Sequence, residues 1–277
     1  MRRALVLGGG GVTGVAWELG LLAGLVERGV PVTEADLVVG TSAGSVVGAQ
    51  VCSGLPLEQF YAAQLAPPSG ELAVRLGFAT LARLVWAGGR TRDGVRSRAR
   101  IGAMAVAART PSEASRRAVI EARLPAREWP ARRLLVTAVD ASSGEFVVFD
   151  RDSGVSLVDA VGASCAVPGV WPPVTVGARR YVDGGMRSVV NADLAAGAQR
   201  VLVIAPTSAA FGPMPRLSAQ VDELRAAGSR VAVVTPDAAA RTAIGRNVLD
   251  PARRAGAARA GRAQAAALVD EVAGLWS

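Results

Sequence analysis

Twice within its first 52 residues the chain runs a short apolar stretch into glycine and then into a segment with helical spacing. That order constrains its fold more than any other feature. Residues 4–7 (Ala-Leu-Val-Leu) stop at four consecutive glycines, after which Val15, Leu19, Leu22 and Val26 recur at helical intervals, with Glu18 and Glu27 among them. Residues 37–39 read as a second buried strand, and Ala43 to Val51 as a second helix. Strand, loop, helix, strand, turn, helix is the order that builds a parallel sheet covered on both faces. The expected fold is therefore α/β, a central, mostly parallel sheet flanked by helices.

Further along, strand signals at 134–139 and 146–149 flank Ser142-Ser143-Gly144, which predicts a hairpin-like turn. More strands are expected at 201–205 and 231–234, and the Ala/Arg-rich last 40 residues are expected to be helical to near Trp276. Residues 66–110 differ in character, with Pro67-Pro68, Gly88-Gly89 and many arginines between apolar stretches, and read as helices and loops capping the sheet. A length of 277 residues suits one large α/β domain. Residues 1–277 are read as one domain: a core of about 4–205, the cap at about 66–110 inside it, and a C-terminal strand and helices at about 206–277.

Histidine is absent, which removes a Ser-His-Asp triad, His-ligated zinc and any imidazole base. Cys52 and Cys165 have neither C-x-x-C nor metal-ligand spacing; two buried free thiols in a reducing compartment are expected, and no metal site. All 31 basic residues are arginine, and the net charge is +8. With the abundance of alanine, this fits the codon bias of a GC-rich genome. It is also compatible with peripheral contact with an anionic membrane surface. Nucleic acid is disfavoured, since aromatic residues for base stacking are only 4% of the chain. The uncharged stretches 37–57 and 160–178 are broken by glycines and prolines, respectively, so neither reads as a membrane span. The apolar run after Met1-Arg2-Arg3 is too short for a signal sequence, and a cytoplasmic protein is expected.

The run Gly8-Gly9-Gly10-Gly11-Val12-Thr13-Gly14 lies between a strand and a helix. Glycines leave backbone N–H groups uncovered, and the following helix adds its positive end, so an anion site is expected. Two chemistries use such a site. One is a dinucleotide cradle, because Gly9-x-Gly11-x-x-Gly14 fits the Rossmann fingerprint. The other is an oxyanion hole for acyl transfer, built from Gly9, Gly10, Gly11 and Gly14. A cradle calls for an acid at the end of the second strand. Asp36 instead begins that strand, and its end is Gly40-Thr41-Ser42. Gly40-Thr41-Ser42-Ala43-Gly44 has the G-x-S-x-G pattern of a nucleophile elbow, a sharp turn that exposes the serine hydroxyl. A simple helix N-cap is the plainer reading of Ser42. Without histidine the serine needs another base. Asp183, followed by Gly184 and Gly185 after the strand-like Arg180-Tyr181-Val182, has the glycine context that Asp140, Asp150, Asp159 and Asp193 lack.

These motifs resemble those of the patatin-like phospholipases, in the same order: the glycine loop at 9–14, G-x-S-x-G at 40–44 and D-G-G at 183–185. The stretch Ser164-Cys165-Ala166-Val167-Pro168-Gly169-Val170-Trp171-Pro172-Pro173 resembles the block that family carries before its D-G-G. The likeness covers about residues 4–205 apart from the cap. It implies a patatin-like Ser-Asp hydrolase fold with a helical cap, a Ser42–Asp183 dyad, and hydrolysis of a lipid or fatty-acyl ester without calcium or another cofactor. One position departs: Thr13 stands where the family usually has Arg or Lys. An inactive lipid-binding relative, or a nucleotide-binding protein using the glycine loop, are the alternatives.

Overall fold

A computed structural model describes residues 2–67, 87–89, 91–210 and 212–277. Its elements in order are β1 (Arg3–Leu7), α1 (Gly11–Glu27), β2 (Leu37–Gly40), α2 (Ala43–Cys52), α3 (Leu57–Leu65), α4 (Gly94–Ala107), α5 (Glu113–Arg123), β3 (Arg133–Asp140), β4 (Phe146–Phe149), α6 (Leu157–Ser164), β5 (Val174–Val176), β6 (Arg179–Asp183), β7 (Arg200–Ile204), α7 (Leu217–Ala226), β8 (Arg230–Val234), α8 (Ala238–Ile244), α9 (Arg254–Ala265) and α10 (Val269–Trp276). The strands form one sheet in the order β5-β6-β3-β2-β1-β7-β8, with β4 paired to β3. Strands β3, β2, β1, β7 and β8 are parallel, and β4, β5 and β6 are antiparallel to their neighbours. The α/β architecture with a mostly parallel sheet is thus what the alternating pattern predicts. The turn between β3 and β4 holds Gly144 at φ 73.

The sheet has a separate apolar cluster on each face. One gathers Leu5, Leu7, Val38, Leu134 and Val136 with α1, α2, α6 and α9. The other gathers Ala4, Val6, Val39 and Leu135 with Val201, Val203 and α7. Both faces of the parallel strands are therefore buried, which is why these strands read as continuous apolar runs. Helix α1 differs from its sequence reading. Its spacing suggests an apolar stripe with polar residues opposite, yet Val12 through Leu25 are all buried, Glu18 among them, because α2, α3, α9 and the sheet enclose it. Burial drives the Glu18 carboxyl well above the usual carboxylate range.

Of the segment expected to cap the sheet, α4 packs through Ala105 on Val139, Ala141 and Val182 at the antiparallel end of the sheet. Residues 68–86 and 90 lie outside the described residues. Cys52 and Cys165 are buried and unbridged. No helix among the described residues is long and apolar enough to cross a membrane.

Strand pairing around β3 creates the geometry that matters most. Strand β2 pairs with residues 133–136 of β3, β4 with 136–139, and β6 with 138–140. Since β4 overlaps both of the others, β2 and β6 must share the opposite side of β3. They run in opposite directions there, so their C-terminal ends meet: Gly40 opposite Val136 and Asp183 opposite Ala138. The two sequence motifs, 140 residues apart in the chain, are brought end to end by this register.

Candidate active site

The turn after β2 carries Ser42 at φ 53 and ψ −114, a conformation unfavourable for any residue with a side chain. Its side chain makes no cap bond to α2, so the N-cap reading does not describe it. Two glycines make the turn sterically feasible. A Cβ on Gly44 would stand 2.1 Å from the Leu7 carbonyl oxygen, and one on Gly40 would stand 2.5 Å from Ser45 Cα. The bend is held by backbone bonds from Thr41 N–H to the Leu7 carbonyl (3.0 Å) and from Gly44 N–H to the Gly8 carbonyl (3.0 Å).

The Ser42 side chain stands near enough to the Asp183 carboxyl to favour its ionised form. Asp183 is 3% exposed, and its Oδ1 also accepts from Gly185 N–H at 2.7 Å. Burial raises its pKa to about 7, against the opposing pull of the Ser42 side chain, the Gly185 hydrogen bond and the charge of Arg116. Gly184 passes so close to β3 that a Cβ there would meet Thr137 Oγ1 at 2.2 Å. Thr137 itself bonds Thr41 Oγ1 at 3.0 Å, and Asn191 donates to Thr41 Oγ1 at 3.0 Å and to the Ser188 carbonyl at 2.7 Å. This buried network ties the serine turn to the D-G-G loop. The other acids weighed in the sequence are engaged elsewhere. Asp140 and Asp150 close turns, Asp159 in the first turn of α6 accepts from the hydroxyl of the capping Ser156 and pairs with Arg117, and Asp193 pairs with Arg187.

The glycine run divides into bonded and unbonded amides. Gly8 N–H donates to the Ile204 carbonyl at 2.9 Å and Gly9 N–H to the Val189 carbonyl at 2.7 Å. Gly14 N–H donates to the Gly10 carbonyl at 2.8 Å as part of α1. This corrects the donor set expected from sequence: Gly9 and Gly14 have spent their amides on the backbone. Helix α1 begins earlier than its apolar spacing indicates, at Gly11, which takes φ 61. Among the described residues the amides of Gly10, Gly11 and Ala43 have no backbone or side-chain acceptor. Those of Gly11 and Ala43 are first-turn helix donors, the positions at which negative charge is favoured.

Several contributors were not visible in the sequence. Ser164 Oγ accepts from Ser42 N–H at 2.9 Å. Cys165 Sγ donates to the Ser42 carbonyl at 3.3 Å, and the Ala166 carbonyl accepts from Asp183 N–H at 3.1 Å. The block 164–166 therefore braces both ends of the site, and only its resemblance to a family block pointed there. Thr13 is buried and bonds the Val248 carbonyl through both its N–H (3.1 Å) and its hydroxyl (3.2 Å). Val248 and Leu249, far along the C-terminal region, thus close over the glycine loop. Ser42 borders a narrow cleft of about 20 Å³, whose walls include Gly11, Val12, Arg116, Trp171 and Leu249.

Removing the Ser164 hydroxyl should loosen the bend without touching the reacting atoms. Ser164→Ala is expected to lower kcat by about tenfold, the equivalent of one hydrogen bond of roughly 1–1.5 kcal/mol. Steady-state kinetics on a soluble ester checks this, with the melting temperature measured alongside.

Residues 5–196 match a known protein family described as patatin-like phospholipase. Among solved structures, VipD from Legionella pneumophila is 15% identical with a TM-score of 0.49, over 98% of this chain and 67% of VipD. The type III effector protein ExoU is 18% identical with a TM-score of 0.44, over 98% of this chain and 53% of ExoU, so the chain spans about half the length of that protein. No curated protein sequence matches it.

Proposed function

The chain belongs to the patatin-like phospholipase family, and on that premise we propose that it is a serine acyl hydrolase, cleaving lipid carboxylic esters through a Ser42–Asp183 dyad. The observation that carries this reading is the strained Ser42 turn set beside a buried carboxylate, with unengaged amides on the adjoining loop and turn. Neither group suffices alone. A serine hydroxyl is a weak nucleophile until a base takes its proton, and an exposed aspartate, of pKa ~3.9, is a poor base. Burial strengthens the carboxylate as a base and brings its pKa to about 7.

The ester carbonyl carbon lies over Ser42 Oγ. As Oγ attacks, its proton passes to Asp183, and the carbonyl oxygen gains negative charge facing the N–H groups of Gly10 and Gly11. Ala43 N–H, on the residue after the nucleophile, is a third donor suited to that charge. Collapse expels the alcohol or lysolipid, which takes the proton from Asp183, and leaves an acyl-Ser42 ester. Asp183 then draws a proton from water, whose oxygen attacks the acyl carbon. The fatty acid leaves and Ser42 regains its proton. The sequence requires neither metal nor cofactor.

The base must be ionised to act, so the sign of the pH dependence follows directly. Below a pH of about 7 the carboxyl of the free enzyme is protonated. There kcat/KM is expected to fall about tenfold per pH unit, and above it to level off. Hydrolysis of p-nitrophenyl butyrate and of short-chain phosphatidylcholine between pH 5 and 9 tests the reading. Turnover with this single acidic limb supports it. Absence of turnover on both esters counts against a hydrolase.

A further inference from the structure

Among the described residues only Ser42 and Asn191 take positive φ without being glycine. Asn191, at φ 55 and ψ 44, is fully buried, and asparagine is one of the few side chains that tolerate this left-handed region. The turn around it is held by side chains. Asn191 N–H donates to Ser188 Oγ at 3.1 Å, Gln220 Nε2 donates to the same oxygen at 2.8 Å, and Ala192 N–H donates to Gln220 Oε1 at 2.6 Å. The Asn191 amide then spans the two halves of the site. Its Nδ2 donates at 3.0 Å to Thr41 Oγ1, on the residue before Ser42, and at 2.7 Å to the Ser188 carbonyl. The Gly184 carbonyl, on the residue after Asp183, lies 3.5 Å from the same nitrogen.

The other end of the amide, Oδ1, accepts from Arg187 at 3.0 Å, its one donor among the described residues. Arg187 is itself clamped. It makes two bonds to Asp193, at 2.6 and 2.7 Å, and its guanidinium lies 4.6 Å from the centre of the Phe146 ring. A planar fork of donors held in this way is a rigid anchor. An amide can face either way in its pocket, and the hydrogen bonds at its two ends decide which. Turned over, Asn191 would set its oxygen against the Ser188 carbonyl and its nitrogen against the guanidinium.

We propose that Arg187 is a positioning residue for the reaction: by fixing the Asn191 amide it sets the Ser42 turn against the Asp183 loop, without lining the Ser42 cleft itself. This rests on the hydrolase reading above. Without the guanidinium, Oδ1 is a buried acceptor that lacks a donor, so the amide turns or shifts to find one. A turned amide lets go of Thr41, and the bend that strains Ser42 relaxes. Substrate binding is untouched, so the loss belongs in kcat and not in KM.

The test joins kinetics to an observation of the amide itself. The chain has two asparagines, Asn191 and Asn247. Isotope labelling of asparagine alone therefore gives two side-chain amide signals by NMR, and the one missing from Asn191→Gly belongs to Asn191. Glycine keeps the left-handed backbone at that position. In wild type this amide is expected to exchange its protons with solvent slowly, and in Arg187→Met to lose that protection. Arg187→Met keeps an apolar cover over Phe146. It should lower kcat on p-nitrophenyl butyrate about tenfold, the scale of a hydrogen bond to a charged group, with KM within about twofold of wild type. Arg187→Lys, which keeps a charged donor, should restore kcat to within about threefold. In the Asn191→Gly background, Arg187→Met should change kcat by less than about twofold, because the arginine acts through the amide. If Arg187→Met does not fold, Arg187→Gln carries the same expectations. If wild type hydrolyses no ester, the hydrolase reading fails, while proton exchange still decides whether Arg187 orients Asn191. Undiminished protection of the amide in Arg187→Met overturns the proposal, as does a kcat within about twofold of wild type, or an equal loss with and without Asn191.

Discussion

Asp183→Asn is expected to lower kcat by on the order of 10⁴-fold, the scale on which neutralising the carboxylate disables other serine hydrolases. Here the aspartate is the base itself, so the loss has no imidazole to soften it; the chain has no histidine. Asparagine keeps the oxygen that accepts from Gly185 N–H, so the loop geometry survives while the proton acceptor is lost. Adding Ser42→Ala to Asp183→Asn should cost little more than either change alone, because residues that act as one unit are not additive. Independent contributions that multiplied would show that the two side chains do not work together.

The same substitution makes an opposite prediction for stability. The folded-state pKa of Asp183 is raised to about 7, above the unfolded value. The native state therefore binds the proton more tightly, and stability falls as pH rises from about 4 towards 7. Asparagine has no charge to bury. Asp183→Asn should melt higher than wild type at pH 8 and close to it at pH 4, by calorimetry or circular dichroism. A more stable, inactive variant at high pH is the signature of a strained catalytic group.

Gly44→Ala should be among the most damaging single methyl additions in the molecule. The added carbon would sit 2.1 Å from the Leu7 carbonyl oxygen, and that oxygen also accepts from Thr41 N–H at 3.0 Å. Neither partner is a flexible side chain. Strand β1 is fixed between β2 and β7, so helix α2 has to lift away from the sheet. Overpacking of this kind costs typically ~1–3 kcal/mol, and a clash of backbone with backbone belongs at or above the upper end. A loss of roughly 3 kcal/mol lowers the melting temperature by about 6–12 °C in a chain of this size. Gly274→Ala is the control: nothing lies within 4 Å of the new carbon. In a helix interior it should be neutral or stabilising by up to ~1 kcal/mol. Any folded Gly44→Ala protein should also lose activity, since lifting α2 moves Ser42.

The parts of this molecule that could be read from the chain are those whose cause is local. A buried parallel strand needs apolar residues on both faces, so β1, β2, β7 and β8 stand out from their flanks. The elbow needs glycine on either side of its serine, and Gly40 and Gly44 are adjacent in sequence. The rest depends on residues that meet only after folding. Helix α5, with its Glu-Ala-Ser-Arg-Arg start, looks like a solvated helix, and only the packed structure turns Arg116 inward over Trp171. Ser164 is an ordinary serine at a helix end until the register of the sheet brings it under Ser42. Val248 reaches Thr13 across 235 residues. Nor does the count of glycines reveal which amides are free. Gly9 and Gly14 look like their neighbours in sequence, and only the backbone bonds separate them from Gly10 and Gly11.

Labelling with a fluorophosphonate, followed by mass spectrometry of the digested protein, tests the proposed dyad most directly. The reagent reacts with a serine hydroxyl only where a base activates it and amides hold the phosphoryl oxygen. One adduct is expected, on the peptide containing Ser42, slowed by orders of magnitude in Asp183→Asn. No adduct, an adduct on another residue, or labelling of Ser42 at an undiminished rate without the carboxylate would contradict the dyad.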